Sequence, residues 1–293
     1  MNTPGNKFRD AIADNKPLMV VGAINAYCAK MAEKAGHKAL YLSGAGVANA
    51  SFGLPDLAIT TLNDVAEDSR RITQATNLPL LIDIDTGFGG AFSISRTIKE
   101  MIAADVAAVH IEDQVTQKRC GHRPNKSLVD KIEMTDRIKA AVDARTDDSF
   151  FIMARTDSYA SEGMQGAIDR CNEYISAGAD GLFLEAVSSL EDYKQLKDAL
   201  QVPLLANITE FGKTPLFSAQ ELASVGVDIM LFPLSAFRAM NKAAESVYID
   251  IAENGSQVNS VKKMQTRDEL YEYLNYHSFE QKLDELFKRK ENK

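Results

Sequence analysis

The chain has few cysteines, no metal-type spacing among its histidines and no long apolar run, and each shortage removes a class of function. Cys28, Cys120 and Cys171 are the three cysteines, too widely spaced for a disulfide framework. That usage fits a reducing compartment and, by elimination, a cytoplasmic location. The four histidines and three cysteines show no ligand spacing, so zinc is not expected. No stretch approaches the ~20 apolar residues of a membrane helix. The polar start, MNTPGNKFRD, lacks the apolar core of a signal peptide. Positive charge is also scarce: 33 Lys and Arg against 41 Asp and Glu leave a net charge of −8. A nucleic-acid partner would need a basic face, so none is expected. An anionic substrate must instead rely on local arginines and lysines. There is no internal repeat and no low-complexity tract.

What remains is an ordinary enzyme composition, 45% hydrophobic and 25% charged over 293 residues. Short apolar runs alternate with helical patterns, the sequence form of repeated βα units. Eight runs are expected as strands: Leu18–Ile24, Ala39–Leu42, Leu80–Ile84, Ala107–Ile111, Phe150–Ala154, Gly181–Leu184, Pro203–Ala206 and Asp228–Phe232. Their continuous apolar character suits parallel strands covered on both faces. Between them, Ala26–Ala35 and Met164–Ala177 read as helices stopped by Gly36 and Gly178. An amphipathic helix is expected over Glu133–Arg145. A doubly wound sheet would need a Gly-rich phosphate turn, and Ser43-Gly44-Ala45-Gly46 lacks the full spacing. The expected fold is therefore α/β, a (β/α)8 TIM-type barrel, with residues 1–293 forming one domain. After Asp250 the pattern changes. A polar hinge, Glu253-Asn254-Gly255-Ser256, leads to a helical extension over 255–293, whose apolar spacing suits packing on this barrel or on another subunit.

In such barrels the active site lies at the carboxyl ends of the strands. Here those ends carry Asn25, Ser43-Gly44, Asp83 with Asp85, Glu112-Asp113, Arg155 with Asp157, Glu185, Asn207 with Thr209, and then Ser235 and Arg238. Any one of them could be a helix cap; the run of them points to a shared site. In an extended chain residues two apart face the same side, so Asp83 and Asp85 aim their carboxylates together. Two adjacent like charges call for a cation or a proton between them. Oxygen ligands of this kind favour Mg2+ or Mn2+, with Glu112 and Asp56 able to assist through water. Lys118-Arg119-Cys120-Gly121-His122 sets one thiol among three potential cations, which lowers a thiol pKa from about 8.5. Arg155, Arg238 and Arg267 could clamp substrate carboxylates. Cys28 and Cys171 read as packing residues, and His37, His110 and His277 as core or surface residues.

The order SGAG, GLPD, DIDTGFG, HIEDQ, KRCGHRPNK, MARTD, LEA, NITEFG, PLSAFRAMN and MQTRDELYE resembles the methylisocitrate lyases of the isocitrate lyase and phosphoenolpyruvate mutase superfamily. The match runs from about Phe8 to Leu286. DxDxGxG is shared across the superfamily, KRCGH looks specific to the lyase branch, and NITEFG with the short chain looks like the methylisocitrate lyases. The resemblance implies substrate contacts from Ser43, Gly44, Ala45, Gly121, Arg155, Glu185, Asn207, Thr209, Arg238 and Arg267. It implies Mg2+ on Asp83 and Asp85, Cys120 as the catalytic acid, and Lys118 and His122 in a mobile catalytic loop. It further implies a homotetramer in which a C-terminal helix is exchanged between subunits. Ala45 stands where many relatives have glycine, and Leu184 where some have proline.

The implied reaction splits 2-methylisocitrate, a small tricarboxylate, into pyruvate and succinate, as in the methylcitrate cycle of propionate catabolism. Candidates for the base that takes the hydroxyl proton are Tyr41, Glu112 and a metal-bound hydroxide. Three rival readings share the scaffold: isocitrate cleavage to glyoxylate and succinate, an oxaloacetate decarboxylase or phosphonopyruvate-type reaction, and a carboxylate-binding protein without catalysis.

Overall fold

The computed structural model describes residues 2–119, 121 and 126–288. The chain divides into two compact units, residues 1–237 and 238–293. The first unit opens with α1 (Pro4–Asp14), β1 (Leu18–Gly22), α2 (Ala26–Lys34), β2 (Ala39–Leu42), a single turn α3 (Gly44–Gly46) running into a π-helical turn, and α4 (Leu62–Thr73). It continues through β3 (Leu80–Asp83), α5 (Ala91–Ala103), β4 (Ala108–Glu112), α6 (Lys131–Asp143), β5 (Phe151–Thr156) and α7 (Tyr159–Ser176). It closes with β6 (Gly181–Leu184), α8 (Leu190–Ala199), β7 (Leu204–Asn207), α9 (Ala219–Ser224) and β8 (Ile229–Phe232). Each strand pairs in parallel with the next, and β8 returns to β1 through Leu18↔Ile229 to close the barrel. The expected (β/α)8 architecture is the observed one.

The strands carry two apolar faces because alternate residues point to opposite sides. Leu40, Leu42, Ile82, Val109, Ile152 and Leu182 join the shell between sheet and helices. Their neighbours Leu18, Val20, Leu81, Met153, Phe183 and Leu205 fill the interior. At the amino-terminal end the interior is plugged by α1, a helix not anticipated from the polar start. Thr3 caps it by accepting from the Asn6 N–H, and Pro4 occupies its first turn, where no donor is needed. Phe8 and Ile12, four residues apart, enter the interior cluster, and Phe8 meets Phe151 edge to face at 5.4 Å. Full burial of a phenylalanine there contributes roughly 1.5–3 kcal/mol.

The second unit contains the greater part of α10 (Ser235–Asn254), then α11 (Arg267–Leu274) and α12 (Tyr276–Phe287). None of the side chains of these three helices is buried, and Tyr248, Ile249, Leu283, Leu286 and Phe287 are exposed. Asp250 organises the turn after α10, accepting from Ser260 Oγ at 2.7 Å and Asn254 Nδ2 at 2.9 Å. Within the first unit, an apolar groove stays open along the outer face of β1 and β8, lined by Met19, Val21, Met31, Ala32 and Phe232. Among the described residues no helix is long and apolar enough to cross a membrane.

Candidate active site

Going up β3 to β7, the inward row changes from apolar to polar near the carboxyl end. Leu81 is followed by Asp83 and Asp85, Ala108 by His110 and Glu112, Met153 by Arg155 and Asp157, Phe183 by Glu185, and Leu205 by Asn207. The same register that fills the interior with hydrocarbon therefore crowds its mouth with charge.

Asp83 and Asp85 close on one point. A Cβ built on Gly44 would come 3.0 Å from Asp83 Oδ2 and 3.1 Å from Asp85 Oδ1, so any side chain there would press on both carboxylates. The Gly44 N–H donates to Asp83 Oδ2 at 3.2 Å, and the Asp85 N–H to Asp83 Oδ1 at 2.9 Å. Strand β3 ends at Asp83, and Asp85 adopts a left-handed backbone with φ of 48°, a costly conformation for a residue with a side chain. It is held there by β4, through Glu112 N–H to Asp85 C=O at 2.9 Å. Burial and then the charge of Asp83 push the Asp85 carboxyl up to about 7, against the pull of Lys118. Burial works to raise Asp83 as well, but His110, Lys118 and Arg155 together hold it well below the usual carboxylate range. His110 is itself lowered to about 4, chiefly by burial. The charges that keep Asp83 ionised at neutral pH are therefore Lys118 and Arg155.

Arg155 is the cationic hub. Its Nε lies 3.4 Å from Glu112 Oε2 and 3.2 Å from Asp157 Oδ2, its Nη2 lies 3.2 Å from Glu185 Oε2, and its guanidinium sits 4.9 Å over the Phe183 ring. Asn207 Nδ2 reaches both Glu185 oxygens at 3.3 and 3.4 Å. Neither oxygen of Glu112 accepts a hydrogen bond among the described residues, and burial raises its pKa far above the ordinary glutamate value. Tyr41 shares a 2.8 Å hydrogen bond with His110 Nε2, and burial, with Asp83 nearby, keeps its phenol neutral.

Several expected residues are placed differently from their reading in the sequence. Lys118 is buried, and its ammonium contacts Asp85 and lies 2.9 Å from Asp56 Oδ1, two carboxylates distant in sequence. Asn25 accepts from the Cys28 N–H and caps α2, and the Ser235 hydroxyl donates to Glu210. Ser43, Gly44 and Thr209 are buried at the same mouth, with Ala45 half-buried beside them. Gly121 backs onto Arg155 and Glu185 so closely that an added Cβ would fall 2.3 Å from Arg155 Nη2. Arg238 is the fourth residue of α10 and Arg267 the first of α11, both in the second unit. Cys120 and His122 lie outside the described residues. His110, read as core or surface for want of a companion constellation, is fully buried and lies on the inward row at the mouth. Its signal was the two-residue spacing to Glu112.

The donor set fits a hard divalent cation. It is all oxygen, it carries an excess of carboxylate over cationic groups, and an ammonium already sits against Asp85. Among the described residues no group of three His, Cys, Asp or Glu side chains forms a full cage. Mg2+ needs none, since it keeps several waters and takes one or two carboxylates.

A model of the phosphoenolpyruvate phosphomutase family matches residues 8–252. The 2-methylisocitrate lyase of Vibrio cholerae serotype O1 is 61% identical over 291 residues, which cover 97% of this chain and 94% of that protein. The crystal structure of 2,3-dimethylmalate lyase, a member of the PEP mutase/isocitrate lyase superfamily, superposes with a TM-score of 0.89 at 34% identity, covering 98% of this chain and 96% of that one. Phosphonopyruvate hydrolase, solved with oxalate and Mg2+, superposes with a TM-score of 0.85 at 25% identity, covering 98% and 100%. By its sequence and by its barrel, the chain belongs to the phosphoenolpyruvate phosphomutase family and groups within it with the 2-methylisocitrate lyases.

Proposed function

We propose that this chain is a Mg2+-dependent carbon–carbon lyase that cleaves 2-methylisocitrate to pyruvate and succinate. One observation carries the reading: a carboxylate pair, Asp83 and Asp85, and the Arg155 guanidinium share a single barrel mouth. The substrate is suggested by the name of the Vibrio cholerae relative. The cation, with Mn2+ as a substitute, is suggested by the Mg2+ in phosphonopyruvate hydrolase and by the all-oxygen donor set.

In the reaction the C2 hydroxyl gives up its proton, the C2–C3 bond breaks, and C2 becomes the carbonyl of pyruvate. The electron pair passes to C3 and its carboxylate as an enediolate, and a proton delivered to C3 completes succinate. Mg2+ held by Asp83 and Asp85 supplies Lewis-acid polarisation of the substrate oxygens. Arg155 binds substrate carboxylate. Its pairs with Asp157 and Glu185 fix the plane of its donors before substrate arrives. Well-placed donors of this kind are each worth roughly 3–4 kcal/mol to a developing oxyanion. Ser43, the Gly44 N–H, Asn207 and Thr209 add neutral polar groups around the same space, and the resemblance to the family adds Arg238 and Arg267 to the residues expected to bind substrate carboxylate. Tyr41 and Glu112 are the inward candidates for the base that takes the hydroxyl proton, and each has first to give up the proton that burial holds on it. Cys120 gives a proton to C3, with His122 as a neighbouring cation. Lys118, committed to Asp56 and Asp85, balances the carboxylates rather than tuning the thiol.

We also assign the unburied apolar faces of α10 to α12 to a second copy of the chain, in a cytoplasmic homotetramer with exchanged C-terminal helices. The open groove along β1 and β8 supports this.

Three outcomes are expected. Because the Asp85 carboxyl stands near 7 without a cation, Mg2+ has to displace a proton. Its affinity should rise between about pH 6 and 8, by at most about tenfold per unit, with proton release measurable by calorimetry in buffers of different ionisation enthalpy. A pH-independent affinity would remove Asp85 from the metal site. Cys120→Ser should still bind substrate and Mg2+ but lose on the order of 10^2–10^4 in kcat, and near-normal turnover would refute its role as the acid. Light scattering should give four times the 32.1 kDa chain mass, and a stable monomer would contradict the exchange of helices.

A further inference from the structure

The segment that follows β4 is tied down by side chains to which the reaction above gives no part. Its stem is closed by backbone alone. Val115 N–H donates to Ser127 C=O at 3.0 Å, Val129 N–H to Asp113 C=O at 2.9 Å, and Gln114 bridges Leu128 in antiparallel fashion. A connection needing only to be closed would stop there.

Two further groups reach past the stem. Gln114, which is buried, clasps the backbone of Arg119 from both sides: its Nε2 donates to Arg119 C=O at 2.9 Å, and its Oε1 accepts from Arg119 N–H at 3.0 Å. Lys126, its side chain 8% exposed, donates to Gly121 C=O at 2.5 Å. Both groups end on the same carboxylate. Asp157 takes Gln114 Nε2 at 3.3 Å, contacts the Lys126 ammonium, and accepts from Arg155 Nε at 3.2 Å and Nη2 at 3.5 Å.

That carboxylate is a firm post. The Asp157 N–H donates to Asp113 Oδ1 at 3.1 Å, and Asp113 Oδ2 accepts from Thr156 Oγ1 at 2.6 Å and Tyr174 OH at 2.9 Å. From the other side Arg137 Nη1 donates to the carbonyls of Glu112 at 3.1 Å and Gln114 at 2.8 Å. Both ends of the clasp thus rest on β4, β5, α6 and α7. The two tied residues, Arg119 and Gly121, flank Cys120 in sequence, and Gly121 is the residue pressed against Arg155 and Glu185.

We infer that Gln114 and Lys126, joined through Asp157, are positioning residues of the lyase reaction, holding the backbone at Arg119 and Gly121 against the Arg155–Glu185 pair. The inference rests on the function proposed above for the use of that geometry. It does not rest on it for the contacts themselves. Asp157 links the substrate-facing guanidinium to the loop directly, so the placement of Arg155 and the placement of Gly121 depend on one group.

The test uses the full chain carrying Lys126→Met, Gln114→Leu or Lys126→Arg, assayed with 2-methylisocitrate, together with hydrogen exchange of residues 115–128, Mg2+ titration and thermal melting. Because small misplacements cost reaction far more than binding, kcat should fall about tenfold or more in the Met and Leu variants, with KM and Mg2+ affinity within about threefold of the parent. Exchange across 115–128 should quicken in those two, and Lys126→Arg, which keeps a charged donor, should recover part of both losses. Values of kcat within about twofold of the parent in both Met and Leu variants, at parental melting temperature, would overturn the inference. So would a loss of kcat that tracks the folded fraction with exchange unchanged. If the parent does not cleave 2-methylisocitrate, the proposed function fails on its own. The clasp then stands or falls on exchange: faster in both variants upholds it, unchanged in both refutes it.

Discussion

Two carboxylates set side by side away from water must take up a proton, a cation or both, and this constraint organises the mouth of the barrel. Asp83 and Asp85 converge beside Gly44, while Glu112, Asp157, Glu185 and Asp56 crowd the same region. Against them stand Lys118, Arg155 and Lys126. Lys118 and Arg155 are each shared between two or more carboxylates, so neither can be moved without changing the charge balance of several side chains. The molecule meets the excess in three ways. It keeps Glu112 and Asp85 in reach of protons, it brings Lys118 inward, and it leaves an all-oxygen site suited to a divalent ion.

The fold makes that crowding tolerable by separating its two tasks along each strand. The lower, hydrocarbon half of the interior, sealed by Phe8 and Ile12 of α1, supplies burial. The upper half spends some of that stability on desolvated charge. Because inward positions recur every second residue, one register serves both halves. A slip of one residue in β3, β4 or β6 would exchange mouth carboxylates for outer-shell residues such as Ile82, Ile111 and Leu184.

The same periodicity explains what could be read in advance. The strands were visible as apolar runs. Their carboxyl ends were visible as polar residues, and the pairing of Asp83 with Asp85 followed from spacing, although Asp85 reaches it through a left-handed turn rather than an extended one. His110 was hidden because a single histidine between apolar neighbours looks like core, and only its spacing to Glu112 betrayed an inward position. Lys118 was legible as a cation but not as a partner of Asp56, since that pairing depends on how two loops meet above the barrel. Gln114 and Lys126 stand in the segments HIEDQ and KRCGHRPNK, but neither had a legible role, because backbone hydrogen bonds to a loop leave no pattern in a sequence. The plug helix α1 was missed for a related reason: two apolar residues are too few to announce an amphipathic face.

The claim on which the account turns is that the space beside Gly44, between Asp83 and Asp85, is built for a divalent ion. Anomalous diffraction from crystals grown with Mn2+ tests it most directly. The account predicts a principal peak at about 2–2.3 Å from an oxygen of Asp83 or Asp85, or one bridging water further away. A fully occupied ion elsewhere, with that space holding only Lys118 or water, would contradict it.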